Sequence, residues 1–466
     1  MLHQSKGINP NYAARIDRIQ SIDKVEGADK LWQATIGPDN VLVDPSYKVG
    51  DLVVFFPVEC TICDKLLGSM NLFEPQAAEK NSNYDEYLTV KESCGDARSL
   101  CGYFSSTGRV RAIKLRGAYS LGFVLPTESL GEVWPELKGY SYKVGTVFDS
   151  IGDEIVCKKY VPVNLKKDPK AQVGRKADKH SLDRLIPDQF HFHYDTELVK
   201  NNMDMIHPDD HLTISVKLHG TSVILSNTLC KRKLSRWEKI KKFFGRPVKE
   251  AEYGLMYSSR TVLKNRYTDQ FTSDVYGDVA KMLGRFVEPS YTWYGEIVGY
   301  KTGTTTCIQK NHDYGCEPGV WRLVVYRITR TTDGGQVKEL EMNDVISKIK
   351  DVRQKMLSEG FIEEAKRLDT VTVVYDGLAR SMYDDLYDKD GQDLDRWRTD
   401  LLQHMSEDQS WRMEKREPLC KNKVPREGVV IRITDVPGAL KLKTKAHYLM
   451  ETQNLDDGVE DIEEEN

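Results

Sequence analysis

Ser215-Val216-Lys217-Leu218-His219-Gly220-Thr221-Ser222 is the stretch whose reading decides the fold. An apolar alternation, Leu212, Ile214 and Val216, runs into it as a strand and breaks at Gly220. A lysine emerging beside a buried strand and a tight turn is placed to act as a nucleophile. Its ordinary pKa of about 10.4 must then be lowered by cationic neighbours or by desolvation. Taken alone, the stretch also fits a solvated lysine beside a turn.

Further along the chain, two carboxylates adjoin apolar, strand-like runs: Glu296 in Trp293-Tyr294-Gly295-Glu296-Ile297, and Glu427 in Arg426-Glu427-Gly428-Val429-Val430-Ile431. Acids placed where burial is costly are suited to holding Mg²⁺ or Mn²⁺, directly or through water. In Leu440-Lys441-Leu442-Lys443 the lysines alternate, so they share one strand face and the leucines the other. Two cations on one face near Lys217 would lower its pKa and stabilise negative charge developing in a transition state. The plainer alternative is an edge strand guarded by lysines. No Gly-x-x-x-x-Gly-Lys-Ser/Thr loop occurs, which disfavours a P-loop ATPase.

In chain order, Lys217-Leu218-His219-Gly220, Tyr257-Ser258-Ser259-Arg260, Trp293 to Ile297, Val324-Val325-Tyr326-Arg327-Ile328, Arg426 to Ile431 and Leu440 to Lys443 resemble motifs I, Ia, III, IIIa, IV and V of the covalent nucleotidyltransferases. These are the ATP-dependent RNA ligases, DNA ligases and mRNA capping enzymes. Each pattern is short; six in the right order make the signal. The resemblance implies ATP and Mg²⁺ or Mn²⁺ as cofactors. It implies catalytic roles for Lys217, Lys441 and Lys443, and a nucleotide site built from Lys217, Gly220, Arg260, Glu296, Tyr326, Glu427, Lys441 and Lys443. In the family, Glu296 would contact the ribose, Tyr326 would stack on adenine, and Arg260 would sit by the ribose or the RNA 5′-phosphate. Metal would fall to Glu427 and Glu296, with His219 as a third candidate. His219 is a departure, since aspartate is commoner there; a neutral imidazole can ligate metal but lacks the charge.

The segment before motif I is rich in short strands punctuated by glycine, which suits a small barrel. Gly27-Ala28-Asp29-Lys30, Tyr47-Lys48-Val49-Gly50-Asp51, and Lys114-Leu115-Arg116-Gly117 with Ser120-Leu121-Gly122 resemble the RNA-ligase family in which an OB domain precedes the transferase domain. DNA ligases and capping enzymes usually place that domain after motif V, and too few residues follow Lys443 here. Phe190-His191-Phe192-His193-Tyr194-Asp195-Thr196 resembles that family's lead-in to motif I. The expected fold is therefore α+β: an N-terminal OB-type β-barrel over 1–155, a linker over 156–185, and a nucleotidyltransferase domain over 186–453. That domain carries a partly helical insertion at about 340–415, and an acidic disordered tail follows over 454–466. Residues 71–100 read as a polar loop excursion, and 342–368 as one helix.

At 466 residues the chain is expected to hold two or three domains. It lacks a membrane-length apolar run and an apolar N-terminal leader, and its nine cysteines are scattered. An intracellular protein with reduced thiols and no membrane partner is expected. Cys60, Cys63, Cys94 and Cys101 are spaced poorly for a zinc site. The net charge of −4 conceals a segment, Lys231 to Lys249, with nine Lys/Arg and one glutamate. Phosphate contact with base stacking, or a helix or hairpin capped by surface lysines, both fit it.

The function implied by the resemblance is ATP-dependent RNA ligation of 3′-OH and 5′-phosphate ends, free or in a nicked duplex, by a monomer. It passes through a lysyl-AMP intermediate and an adenylated 5′ end. The alternatives are a DNA ligase, an mRNA guanylyltransferase and a non-catalytic nucleic-acid-binding protein.

Overall fold

The computed structural model describes residues 1–6, 8–161, 182–383, 385–387, 393–407 and 416–456. The expected linker lies mostly outside these residues, and so does the expected acidic tail beyond Asp456. The chain forms two compact bodies, one built from the N-terminal segment together with the helix Lys445–Asp456, the other from the residues up to Thr444. The fold is α+β, with a mostly β first body and a second that mixes sheets and helices.

The first body is organised by an antiparallel ladder in the order Asp39–Val43, Trp32–Ile36, Ala14–Lys24, Leu52–Pro57, Gly122–Pro126. Leu52–Pro57 is buried almost throughout because its alternate residues feed two cores. Val54 and Phe56 enter one with Ile16, Ile62 and Phe148; Val53 and Phe55 enter the other with Ile19, Ile36 and Val124. A strand covered on both faces reads as a continuous apolar run. Among the described residues no pairing closes the ladder between Asp39–Val43 and Gly122–Pro126, so the sheet is an open one.

Ile113–Leu115 pairs with Ala118–Ser120 across Arg116 and Gly117, which have φ of 48° and 86°. Positive φ at both central residues makes this a tight hairpin turn, so the pairing starts next to the turn. Residues 71–100 are not a loop, since they contain the helix Tyr84–Cys94. Tyr87 is its one buried side chain, so no apolar stripe announced it. Gly95, at φ 76°, ends it in the left-handed conformation.

The helix Lys445–Asp456 completes this body. Tyr448 and Leu449 pack on buried Val58, Ala112 and Leu121. Thr452 Oγ1 accepts the Ala112 amide at 3.3 Å, and Lys445 Nζ donates to Asn40 Oδ1 at 3.0 Å.

The second body has two sheets. In the first, the order is Glu197–Leu198, Leu440–Lys443, Gly428–Ile433, His211–Lys217, Val373–Leu378. In the second it is Ala251–Ser258, Thr221–Lys231, Tyr291–Gly299, Trp321–Thr331, Val337–Glu339, with Leu368–Thr370 also beside Trp321–Thr331. The region 340–415 is shared between them. Met342–Ser358 buries Val345, Ile349, Val352 and Met356 in the core of the second sheet. Leu394–Glu407 buries Trp397, Leu401 and Met405 in the core of the first. The helix expected to run through 368 stops at Ser358, because Gly360 takes φ 84°; a short helix, Ile362–Arg367, follows. No helix among the described residues is long and apolar enough to cross a membrane.

Candidate active site

The site is built around the crossover between the two sheets of the second body. Lys217 ends a strand of the first sheet, opposite Gly428. Thr221 opens a strand of the second, opposite Ile297. Leu218, His219 and Gly220 make the step between them, and each edge of that step is held. The His219 amide donates to Tyr314 Oη at 2.7 Å, the Gly220 amide to Glu296 Oε1 at 3.1 Å, and Gln309 Nε2 to the Gly220 carbonyl at 2.9 Å. A Cβ on Gly220 would lie 2.4 Å from the Ile297 carbonyl and 2.8 Å from Glu296 Cγ, so a glycine is needed for the close approach. Gly428 has the same origin: at φ 155°, its Cβ would meet the Leu442 carbonyl at 1.9 Å.

Glu427 is the electrostatic hub. It is 4% exposed, and its Oε1 lies 2.8 Å from Lys217 Nζ and 3.5 Å from Lys443 Nζ. Its Oε2 lies 3.8 Å from His219 Nδ1. A buried carboxylate is tolerable only when compensated, and here two ammonium groups compensate it. Lys441 and Lys443 share a strand face, while Leu440 and Leu442 turn into the core. Lys441 is pushed down to about 8, by burial first and then by Lys443, Lys217 and Arg260, with Glu427 opposing. The sequence-predicted cations therefore act on one another through space, with Glu427 among them.

The second sheet supplies the other wall. Tyr326 Oη is 3.1 Å from Ser222 Oγ, and the Tyr326 ring lies 5.1 Å from that of His193. Arg260 follows the strand Ala251–Ser258 and pairs with Asp195 at 2.5 Å. Glu296, 7% exposed, turns its carboxylate to the crossover. The structure thus gathers Lys217, His219, Gly220, Glu296, Glu427, Lys441 and Lys443 about the crossover. Arg260 acts on both Lys441 and His193, and Tyr326 stands beside Ser222 and His193.

His193 is the functional candidate that motif reading left unranked. Burial, then Arg327, Arg432, Arg260 and Lys217, push its pKa down to about 2, so it stands there as a neutral imidazole. Arg327 lies 4.4 Å over both the Tyr194 and Tyr294 rings and pairs with Glu339 at 2.7 Å. Gln309 and Tyr314, which fix the crossover, were missed; they lie far along the chain with no spacing to mark them. His312 was missed as well; its ring stands 4.9 Å from that of His219, edge on.

No family model matches the chain, and no curated protein matches it. Solved structures do. A mutant RNA ligase from Naegleria gruberi, in its apo form, aligns with a TM-score of 0.50 and 17% identity, over 95% of this chain and 98% of that one. The same protein with PPi gives 0.49 and 17% over 95% and 98%, and a mutant with ATP and Mn gives 0.49 and 17% over 94% and 98%. At this identity the likeness is one of fold, and it runs through both bodies of the chain.

Proposed function

We propose that this chain is an ATP-dependent RNA ligase that seals 3′-OH and 5′-phosphate ends through lysyl-AMP and an adenylated 5′ end. The observation that carries the reading is the meeting of Lys217, Glu427, Lys441 and Lys443 on one sheet, against Glu296 at the crossover. The fold shared with an RNA ligase supports it.

In this mechanism Lys217 Nζ attacks the α-phosphorus of ATP; the N–P bond forms as the P–O bond to pyrophosphate breaks. Glu427 Oε1, 2.8 Å away, is the base in reach of the proton that Nζ must shed. Lys441 and Lys443 hold the phosphate oxygens as charge develops on them. Tyr326 offers its ring to the adenine and Glu296 its carboxylate to the ribose. An RNA 5′-phosphate oxygen then displaces Lys217 from the adenylate, and Arg260 steadies that end. Finally a 3′-OH attacks the 5′-phosphorus and AMP leaves.

Glu427 Oε2 and His219 Nδ1, 3.8 Å apart in a buried site, are donors that fit Mg²⁺ or Mn²⁺, while Glu296, which accepts from the Gly220 amide, stands at the crossover as a second carboxylate outside that pair. Bound there, the ion would orient phosphates and offset their charge. His219 contributes no charge to this pair when neutral, which leaves Glu427 as the principal ligand.

The same reading takes the first body as an OB-type domain and the second body, up to Thr444, as the transferase domain, in a monomeric, intracellular enzyme; the helix Lys445–Asp456, expected within the transferase domain as far as 453, goes with the first body. Five strands in an antiparallel ladder, with glycine-bounded hairpins, support the OB assignment.

The test is incubation with α-labelled ATP or GTP and Mg²⁺ or Mn²⁺, followed by denaturing electrophoresis. Label from ATP that disappears in Lys217→Ala, and that chases onto 5′-phosphorylated RNA in preference to DNA, is the expected result. Label from GTP alone would replace the reading with a capping enzyme. Folded protein that takes no label with either metal would sink it.

A further inference from the structure

Between the strands Thr221–Lys231 and Ala251–Ser258 the chain leaves the second sheet and builds an arm around the helix Arg236–Phe243. The helix is started by a reciprocal cap between Ser235 and Glu238. Its back is tied down, since Glu238 pairs with Arg232 and Lys242 Nζ lies 2.6 Å from Glu250. Its front is not covered. Trp237 is 76% exposed, Phe243 84%, Phe244 72% and Ile240 47%. At helical spacing these four fall within about 120° of arc, with Lys239 on one border and Lys241 on the other. Among the described residues Arg236, Lys239 and Lys241 form no ion pair. The arm is therefore a rigid, cationic, aromatic surface with nothing on it.

We propose that this arm is a single-stranded RNA platform, on which Trp237, Phe243 and Phe244 stack bases while Arg236, Lys239 and Lys241 hold phosphates. The inference rests on the RNA-ligase reading for its choice of polymer. Charge complementarity argues for a polyanion, since nine Lys/Arg oppose one glutamate over Lys231 to Lys249. Three of the four exposed apolar side chains are aromatic, which suits bases. A membrane surface is the rival occupant, and Arg236 argues against it. At helical spacing Arg236 stands inside the apolar arc, between Phe243 and Ile240, so insertion would carry its charge into the acyl boundary. On RNA a guanidinium in that place adds a stacking plane.

The strand Thr221–Lys231 fixes the reach. It starts beside the crossover and ends at the arm, a rise of about 33 Å. At 3.4 Å per nucleotide along a strand, that is about ten nucleotides from the reacting end. Short RNAs should therefore react without feeling the arm.

The experiment uses the full chain, with Trp237→Ala/Phe243→Ala/Phe244→Ala and Lys239→Ala/Lys241→Ala, and 5′-phosphorylated RNAs of about 6 and about 20 nucleotides spanning that reach. Both variants should label from ATP as the unaltered protein does. The aromatic variant should raise KM for AMP transfer to the long RNA about tenfold or more, with kcat unchanged and the short RNA unaffected. The lysine variant should lower the slope of log affinity against log salt by about 1.4. Trp237→Phe should keep most of the affinity. Equal KM for the long RNA in all proteins would overturn the proposal. So would arm-dependent binding to phosphatidylserine vesicles with RNA affinity unchanged. A chain that takes no label, yet binds the long RNA through the arm in a direct binding measurement, would end the ligase reading and leave the platform standing.

Discussion

Replacing Lys441 with methionine should stabilise the protein while disabling it. Lys441 sits on a strand paired on both sides, beside Lys443, Lys217 and Arg260, and burial with those charges lowers its pKa from 10.5 to about 8. At neutral pH the folded protein holds this charge at a cost of about 3 kcal/mol relative to the unfolded chain. For a lysine with a depressed folded pKa, the unfolded chain binds more protons between about 8 and 10.5. The penalty is therefore complete below about 8, and stability recovers as pH rises to 10.5. Methionine has a similar length and no charge, so Lys441→Met should remove most of that cost at pH 7. A gain of about 3 kcal/mol corresponds to a rise in melting temperature of about 6–12 °C for a unit of this size. The gain should shrink steadily above about pH 8 and be nearly gone by about pH 10.5. Melting curves of both proteins across that range, with ATP labelling alongside, make the assay. A variant less stable than the original at pH 7, or a difference that stays constant as pH rises, would refute the reasoning.

Gly220→Ala should cost about 1–3 kcal/mol and abolish labelling, because the new methyl meets the Ile297 carbonyl and Glu296 Cγ; an unchanged melting curve would remove the close-approach argument. Glu427→Gln strands Lys217 and Lys443 without their shared counter-charge and should cost about 3–5 kcal/mol, read by thermal melting at pH 7; a smaller cost at high ionic strength than at low would show the site is more open to solvent than its burial implies. Tyr326→Phe keeps the ring and loses the contact with Ser222 Oγ, so KM for ATP should change little, whereas Tyr326→Ala should raise it by about tenfold or more. Equal effects from the two would deny the ring a part in holding adenine.

What could be read from the chain were features with a local signature. Lys441 and Lys443 show their common face by alternation, and Glu427 shows its strained neighbourhood by the glycine beside it. Lys217 shows its place at a strand end by the break that follows. The pieces that hold these residues in place had no such signature. Gln309 and Tyr314 reach the crossover from about ninety positions along the chain, through a backbone contact each. Neither makes a pattern with its neighbours. The helix Tyr84–Cys94 failed for a different reason: a helix with one buried side chain is indistinguishable from a polar loop by periodicity. Residues 340–415 looked like an addition to a finished domain, yet they supply a strand to each sheet and a helix to each core. Their hydrophobic spacing gave the helices, while the sharing between sheets depends on pairings that only the fold reveals.

The helix Lys445–Asp456 has a consequence for biosynthesis. The ribosome finishes the segment up to 161 long before it makes Tyr448 and Leu449, so Val58, Ala112 and Leu121 wait uncovered while the whole second body is translated. Domains that emerge first ordinarily fold first. Here the earliest body is also the last to be completed, and its nascent form presents an apolar patch for most of the chain's synthesis. A chaperone that binds such patches would find a long opportunity on the segment up to 161, and release would be timed by the arrival of the helix Lys445–Asp456.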